Sequence, residues 1–480
     1  MKRFLGFDLG AESGRAMLGE VADGKLRLEE IHRFPNQPVR LPTGLYWDTL
    51  RLYWEMQEGL RIATRERKLA LSGIGVDAWG VDFALLGRDG ALVDNPRHYR
   101  DARNNGQLQR TFAIVPQQEI YAETGLQFMQ INSLFQWHAM KLAGSPALDT
   151  AETLLFIPDL FNYWFTGVKR AELTIASTSQ FYNPVKKRFA ADMLERLGLN
   201  PRLLPEIVNP GSRLGEHAGV PVYAVAGHDT AAAVAAVPAQ GGEDWCYVSS
   251  GTWSLMGVEL PDPVINARSA ALNFTNEIGV EGRVRLLRNI AGLWLWQECR
   301  RDWALAGHHY SYDEMTRMAE QARPFASVIH PDAFLEPDAM PEQIAAHCRK
   351  NGQPVPQTHG EYCRVILEGL ALRYRQVLEN LAELTGRRLT RIHIVGGGSR
   401  NQVLNRFVAG ATGRPVYAGP AEATAAGNIL VQAMGAGLLK NLEEARAMVT
   451  ASFPVTIIEP GSQSAWDEAY AVFTKLNATR

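Results

Sequence analysis

Cysteine is scarce in this chain: four in 480 residues (Cys246, Cys299, Cys348, Cys363), none forming a CxxC pair. That excludes a zinc ribbon, a thioredoxin-type redox motif and a disulfide-stapled scaffold. Cys348 and Cys363 are near enough in sequence to be bridged, but four free thiols in a reducing compartment are expected. Net charge is also small, -2 from 49 Lys plus Arg and 51 Asp plus Glu. A chain so balanced has no electrostatic basis for binding nucleic acid or an anionic membrane. No apolar run approaches the length of a membrane span. The start, MKRFLGFDLG, meets Asp8 before a signal-type apolar region can develop, so a cytoplasmic location is expected. GxGxxG and GxxxxGK[ST] are missing, which removes the Rossmann and P-loop routes to a nucleotide. Low-complexity, solenoid and coiled-coil patterns are missing too.

What is present is an ordinary globular composition, 46% hydrophobic. The length exceeds what one hydrophobic core supports and predicts two domains or three. The stretch from Val225 to Gly257 organises the rest. Gly227-His228-Asp229-Thr230 runs into an alanine-rich helix predicted over Ala231 to Val237, and an apolar strand follows, ending in Ser249-Ser250-Gly251-Thr252. Asp229 is expected at or beside the helix N-cap, where free backbone N–H groups keep a carboxylate ionised as a base. The Ser/Gly/Thr turn offers open N–H groups and hydroxyls, the chemistry of a phosphate site.

Elsewhere, Phe4 to Gly19 reads as strand, glycine-rich turn, strand, with Asp8 before the turn and Arg15 after it. Such a hairpin can wrap phosphates, with Asp8 placed to hold a divalent cation through water and Arg15 to counter phosphate charge. Ile74 to Leu86 reads as one buried strand carrying Asp77, Trp79, Gly80 and Asp82. Acids avoid buried strands unless paired or lining a cleft. Trp79 could offer its face to a sugar ring, and Gly80 permits close backbone approach. Tyr99 to Asn104 is a dense polar run, either a surface network or a source of polyol-binding groups. Leu286 to Gln297 reads as a strand end then a helix, with Asn289 at the junction. Glu361 to Thr385 is a long amphipathic helix. A strand over Leu389 to Val395 then enters Gly396-Gly397-Gly398, a sign of backbone lying against a flat ligand. The two hairpins, FDLGAESGRAMLGE and VSSGTWSLMGVE, echo one another, one opening each half.

DLGAESGR, VDAWGVDF, YRDARN, GHDTAAAV, SSGTWSLMG, LRNIAGLWLWQ, HIVGGGSRN and EATAAGN occur in the order found in the FGGY carbohydrate kinases, and the resemblance spans essentially the whole chain. It implies an α/β fold of two actin-like (ribonuclease H-like) domains, 1–240 and 241–480, with a nucleotide and sugar cleft between them, as in actin, hexokinase and the heat-shock ATPases. It implies a small-molecule ketose and ATP as substrates with Mg²⁺, and no nucleic acid or membrane partner; oligomeric state is left open. Ala11, Glu12, Ser13, Gly14 and Arg15 would contact ATP phosphates; Thr252, Gln297 and Gly397 would complete the nucleotide site. Gly80, His228, Asp229, Thr230 and Asn289 would lie at the sugar, with Asp229 as proton acceptor. DAWGVDF and RNIAGLWLWQ favour the C1 hydroxyl of L-rhamnulose as acceptor. L-fuculose, L-ribulose or D-xylulose is the alternative within the class, and an ATP-driven conformational protein without a sugar is the alternative outside it. The chain departs from the family at Glu12 and Gly227, where Ser is usual, and at Ala78, where Thr is usual.

Overall fold

The computed structural model describes residues 1–239, 241–334 and 339–477. Packing divides the chain into two units: Met1–Gln240 with Glu259–Leu286 and Ala423–Ser452, and Gly241–Val258 with Leu287–Glu422 and Phe453–Arg480. The units interleave along the chain, so division by sequence position and division by packing are different descriptions.

The first unit is built on six strands: β1 (Lys2–Leu9), β2 (Ser13–Ala22), β3 (Lys25–Pro35), β4 (Gly73–Ala78), β5 (Ser212–His217) and β6 (Val220–Ala224). Their order is β5-β6-β4-β1-β2-β3. β1 and β2 form the expected hairpin, with Asp8 opposite Arg15. β3 closes one edge and carries Arg27, Glu29, Glu30 and Arg33, charges that discourage further pairing. β1, β4 and β6 run parallel. Their side chains are buried almost throughout, as strands covered on both faces should be. In the register of β1 and β4, Gly6 lies beside Gly75 and Asp8 beside Asp77.

That glycine pair has a packing cause. The helix Ala423–Gly435 crosses these strands, and its Asn428 side chain occupies the space a Cβ at Gly6 or Gly75 would enter. The same helix meets the helix Asp229–Ala235 so closely that a Cβ at Gly427 would fall 1.8 Å from the Ala232 carbonyl oxygen. Alanine-rich composition on one helix and glycine on the other is what lets the two backbones touch. The 229–235 helix begins at Asp229 with His228 as its N-cap, two residues earlier than predicted.

The predicted single strand over Ile74 to Leu86 is two. β4 ends at Ala78, and Phe83–Leu86 belongs to a separate three-stranded sheet with Leu92–Asp94 and Thr153–Phe156. Between them Val81 has φ +72, a backbone turn that no continuous strand accommodates.

The second unit repeats the motif. β7 (Trp245–Ser250) and β8 (Ser254–Leu260) form a hairpin. β9 (Arg391–Val395) runs parallel to β7, and β10 (Val416–Ala418) runs parallel to β9. β11 (Thr456–Ile458) closes antiparallel on β10. The long helix is His359–Thr385, started by a Thr358/Glu361 capping box and stopped at Gly386 with φ +65. All four cysteines are free and buried. No helix among the described residues is long and apolar enough to cross a membrane.

The Gly427 contact is testable. Gly427→Ala should destabilise the protein by about 1–3 kcal/mol, the usual cost of overpacking, seen as a lower urea midpoint. An unchanged midpoint would mean the two helices separate freely.

Candidate active site

Ligands of open α/β sheets bind beyond the carboxyl ends of parallel strands, where the strand order reverses. In the first unit those ends belong to β1, β4 and β6. β1 ends at Asp8-Leu9 and β4 at Asp77-Ala78, while β6 continues through Val225 to Gly227 into His228 and Asp229. Backbone bonds tie the three exits together: Ala78 N–H donates to the Gly227 carbonyl at 2.9 Å, and Trp79 N–H to that of Leu9 at 3.2 Å. Three aspartates therefore gather in one place.

Their electrostatics differ. Arg15 Nη2 donates to Asp8 Oδ2 at 2.5 Å, so the arginine expected at phosphates already holds one carboxylate. Asp77 is fully buried, and its carboxyl is pushed well above the usual range by burial, then by the charges of Asp8 and Asp229. Asn428 Nδ2 donates to Asp77 Oδ2 at 2.6 Å. Asp77 Oδ1 has no hydrogen-bond partner among the described residues. Asp229 retains 32% side-chain exposure. Its carboxyl is raised, not held down as a helix start alone would suggest. Burial contributes most, Asp8 adds to it, and His228 and the Thr230 donors oppose it.

The two oxygens of Asp229 are not equivalent. Oδ1 accepts from Thr230 N–H at 2.5 Å and Thr230 Oγ1 at 3.2 Å, and lies 3.4 Å from His228 Nε2. Among the described residues no donor reaches Oδ2. One oxygen is anchored and the other is open.

The loop beneath these residues is held by a buried carboxylate. Glu172 Oε2 accepts Gly227 N–H at 2.8 Å, and Thr174 Oγ1 accepts His228 N–H at 3.2 Å. A Cβ at Gly227 would lie 2.9 Å from Glu172 Oε2, so glycine leaves the carboxylate the space a side chain would take. Burial pushes Glu172 up to about 7 despite the bonds from Thr174, Gly227 and Ile175. Asp159 beside it is also raised by burial and by Glu172.

The turn Trp79 to Asp82 is built around Asp82. Its Oδ2 accepts from Trp47 Nε1 at 2.6 Å, Trp79 Nε1 at 3.0 Å and Tyr99 N–H at 3.2 Å, and its Oδ1 from Gln136 Nε2 at 2.7 Å. Burial raises Asp82 to about 6. Trp79 is only 5% exposed and packs, tilted by 37°, against Trp47 with ring centroids 4.1 Å apart. Its ring is committed to the core and presents little face to a ligand. Gly80 is better placed: a Cβ there would lie 3.4 Å from both His228 Nε2 and Thr178 Oγ1. Val81, a β-branched residue at positive φ, is held by Thr178 Oγ1 on its N–H, and by Ser133 and Gln136 on its carbonyl. Strain of this kind persists only where surroundings over-determine it.

The first hairpin turn is fixed by Gly10 N–H to the Ser13 carbonyl, and by Asn36, which donates from its backbone to Glu12 and from its side chain to Gly10. Gly14 serves packing, since a Cβ would fall 2.1 Å from Phe34. Ala11, Ser13 and Arg15 are half-buried and Glu12 is exposed.

In the second unit the three glycines divide by role. A Cβ at Gly396 or Gly398 would collide with Ser250, whereas one at Gly397 would stand in open space. Gly251 and Thr252 receive N–H bonds from Leu293 and Trp294 on their carbonyls. Gln297, one turn into the helix Trp294–Leu305, has a buried Oε1 without a hydrogen-bond partner among the described residues. Asn289 is half-buried near the end of the strand Val284–Ile290.

Among the described residues no group of three or more His, Cys, Asp or Glu forms a metal cage. Asp8, with the orphaned Asp77 Oδ1 behind it, fits a hard cation that keeps water and phosphate oxygens as most of its ligands. Reading the residues alone left Glu172, Glu277, Arg285 and Asn428 without a role. Asn428 could have been suspected from a lone amide in an alanine-rich helix; the others carry no local signal.

Two family models cover the chain: the FGGY carbohydrate kinase N-terminal domain over residues 3–235 and the C-terminal domain over 246–436. The chain belongs to the FGGY family of carbohydrate kinases. Among FGGY relatives, a rhamnulokinase of Bacteroides thetaiotaomicron is 45% identical, covering 98% of this chain and 99% of that one. A rhamnulokinase of Pectobacterium atrosepticum is 40% identical over 97% and 94%. In fold, the chain is similar to a ligand-bound xylulose kinase of Lactobacillus acidophilus, with TM-score 0.81 at 15% identity over 100% of this chain and 98% of that one. It is also similar to a Plasmodium falciparum glycerol kinase with ADP, TM-score 0.77 at 16% identity over 100% and 97%. The two-domain α/β fold of an FGGY sugar kinase is thereby established, with ATP as the phosphoryl donor its family implies.

Two expectations follow. Gly397→Val should leave folding intact and raise KM for ATP, while Gly398→Val should lower the unfolding midpoint; equal loss of stability in both would remove Gly397 from the nucleotide site. Glu172 binds its proton up to about pH 7 when folded against about 4.5 as the ordinary value. Its contribution to stability therefore falls as pH rises through that window, by up to about 3 kcal/mol. Glu172→Gln should flatten the drop in urea midpoint between pH 4.5 and 7.5; parallel wild-type and variant profiles would contradict the raised carboxyl.

Proposed function

We propose that this kinase transfers the γ-phosphoryl group of ATP to the C1 hydroxyl of L-rhamnulose. The observation that carries the reading is similarity to rhamnulokinases at 36–45% identity along nearly the whole chain. The local chemistry supports it. Asp229 Oδ2, the unengaged oxygen, takes the proton of the attacking hydroxyl, while Oδ1 stays anchored to Thr230 and faces His228. A carboxyl raised by burial is a stronger base than a solvated one, and its remaining exposure leaves it reachable. Gly80, beside the His228 ring, and His228 and Thr230, beside Oδ1, are assigned to the ketose, with Asn289. Trp79 acts through Asp82, which holds the Gly80-Val81 backbone in shape.

For the nucleotide, the amides of Ala11 to Gly14 and the Arg15 guanidinium are assigned to phosphates, and Thr252, Gln297 and Gly397 to the rest. Asp8 would hold Mg²⁺ through water; bound there, the cation would neutralise phosphate charge. Phosphoryl transfer asks little covalent help of a protein beyond alignment and charge compensation. Gly80, His228, Asp229 and Thr230 then fall to the same unit as the phosphate hairpin Ala11 to Arg15, and Thr252, Asn289, Gln297 and Gly397 to the other.

The test is ADP release with ATP and Mg²⁺ across L-rhamnulose, L-fuculose, L-ribulose and D-xylulose, ranked by kcat/KM. L-Rhamnulose should lead by at least tenfold; another ketose in first place would reassign the substrate. Asp229→Asn should lower kcat by roughly 10²–10⁴-fold, with ketose and ATP binding preserved in calorimetry. Turnover like that of the parent would end the base assignment.

A further inference from the structure

Behind His228 lies a charged cluster for which the reaction as described has no use. Arg285 is fully buried and Glu277 nearly so. Arg285 Nη2 is 3.1 Å from His228 Nδ1 and 3.1 Å from Glu277 Oε2. Arg285 Nε and Nη2 also approach the Ile278 carbonyl at 3.4 and 3.3 Å. Glu277 Oε2 in turn is 3.3 Å from His228 Nδ1. Burying an arginine in this way is costly unless its donors are used.

Nη1 has no hydrogen-bond partner among the described residues, so the hydrogen count at Nε and Nη2 decides how the other donors are used. Nη2 carries two hydrogens and can only donate. With Nε serving the Ile278 carbonyl, those two go to Glu277 Oε2 and His228 Nδ1. A hydrogen bond from Arg285 requires a lone pair at Nδ1, so the ring proton belongs on Nε2. A proton on Nδ1 could be accepted by Glu277, but it would confront the Arg285 donor at the shorter distance. Nε2 is the nitrogen beside Gly80 and 3.4 Å from Asp229 Oδ1.

We infer that Arg285 is a positioning residue for phosphoryl transfer: it fixes His228 as the Nε2–H tautomer, which keeps a proton rather than a lone pair on the ring nitrogen 3.4 Å from Asp229 Oδ1 and leaves Oδ2 for the substrate proton. This rests on Asp229 being the base. Without Arg285, Glu277 becomes the group facing Nδ1 and draws the proton there. Nε2 then turns a lone pair toward the carboxylate, and repulsion displaces Asp229 or the ring. The second ring nitrogen of a histidine sets what the first can do, and here a guanidinium rather than a carboxylate makes the choice.

The experiment is long-range ¹H–¹⁵N correlation on the full chain labelled at histidine, with the His228 signals identified by their loss in His228→Asn. A protonated Nε2 with an unprotonated Nδ1 in the parent protein is the expected result; a proton on Nδ1, alone or in an imidazolium, overturns the inference. The spectrum needs no variant of Arg285 to fold and does not depend on which ketose is phosphorylated. It therefore remains readable if the L-rhamnulose assignment fails. In Arg285→Met the tautomer should move to Nδ1–H and kcat should fall roughly 10- to 100-fold with KM for ATP unchanged. Arg285→Lys, which still donates, should keep the Nε2–H signature and recover part of the turnover. Lost turnover in both variants with the tautomer unmoved would make Arg285 a merely structural residue.

Discussion

The crowding of three carboxylates at the ends of parallel strands governs the first unit. Asp8 and Asp77 are neighbours because β1 and β4 run in parallel register, and Asp229 joins them because β6 pairs parallel with β4. Like charges brought together in a low-dielectric place cannot all ionise without compensation. Each is therefore compensated differently: Asp8 by Arg15, Asp77 by the Asn428 amide with its carboxyl pushed well above the usual range, Asp229 by the donors of Thr230. The asymmetry leaves one carboxyl oxygen open beside the sugar-assigned residues.

Polar burial recurs in layers beneath that point. Glu172 shapes the Gly227 loop, Asp82 shapes the Gly80 turn, and Arg285 faces His228. None of the three carries an apolar packing role that a leucine could fill. Each gathers several donors or acceptors around one loop, and a partly satisfied network of this kind is worse than an apolar core. The loops so held are the ones that need defined backbone shape: a glycine beside a carboxylate, and a valine at positive φ.

The second unit uses the same strand plan with different chemistry. Its hairpin ends in Ser250 rather than an aspartate, and the parallel partner β9 runs into glycines rather than Trp-Gly-Val. Gly396 and Gly398 are small because Ser250 is close, while Gly397 is small without any neighbour to demand it. A residue without a packing reason is where a ligand reason has most weight.

Local pattern alone carried a large share of this protein: both hairpins, the helix at Asp229, the long helix ending at Thr385, and the glycine triplet after a strand. These features live in short windows, where turn residues, capping residues and apolar spacing act through neighbours in the chain. The family was legible for the same reason, since its motifs are contiguous. Tertiary structure decided the rest. It broke the apparent strand at Val81, withdrew the Trp79 ring into the core, raised Asp229 where an isolated helix start would lower it, and recruited Glu172, Glu277, Arg285 and Asn428. Each of those outcomes turns on groups dozens to hundreds of residues apart, such as Asn428 on Asp77 or Arg285 on His228. Burial and charge depend on what surrounds a group in space, and no window of sequence contains that surrounding.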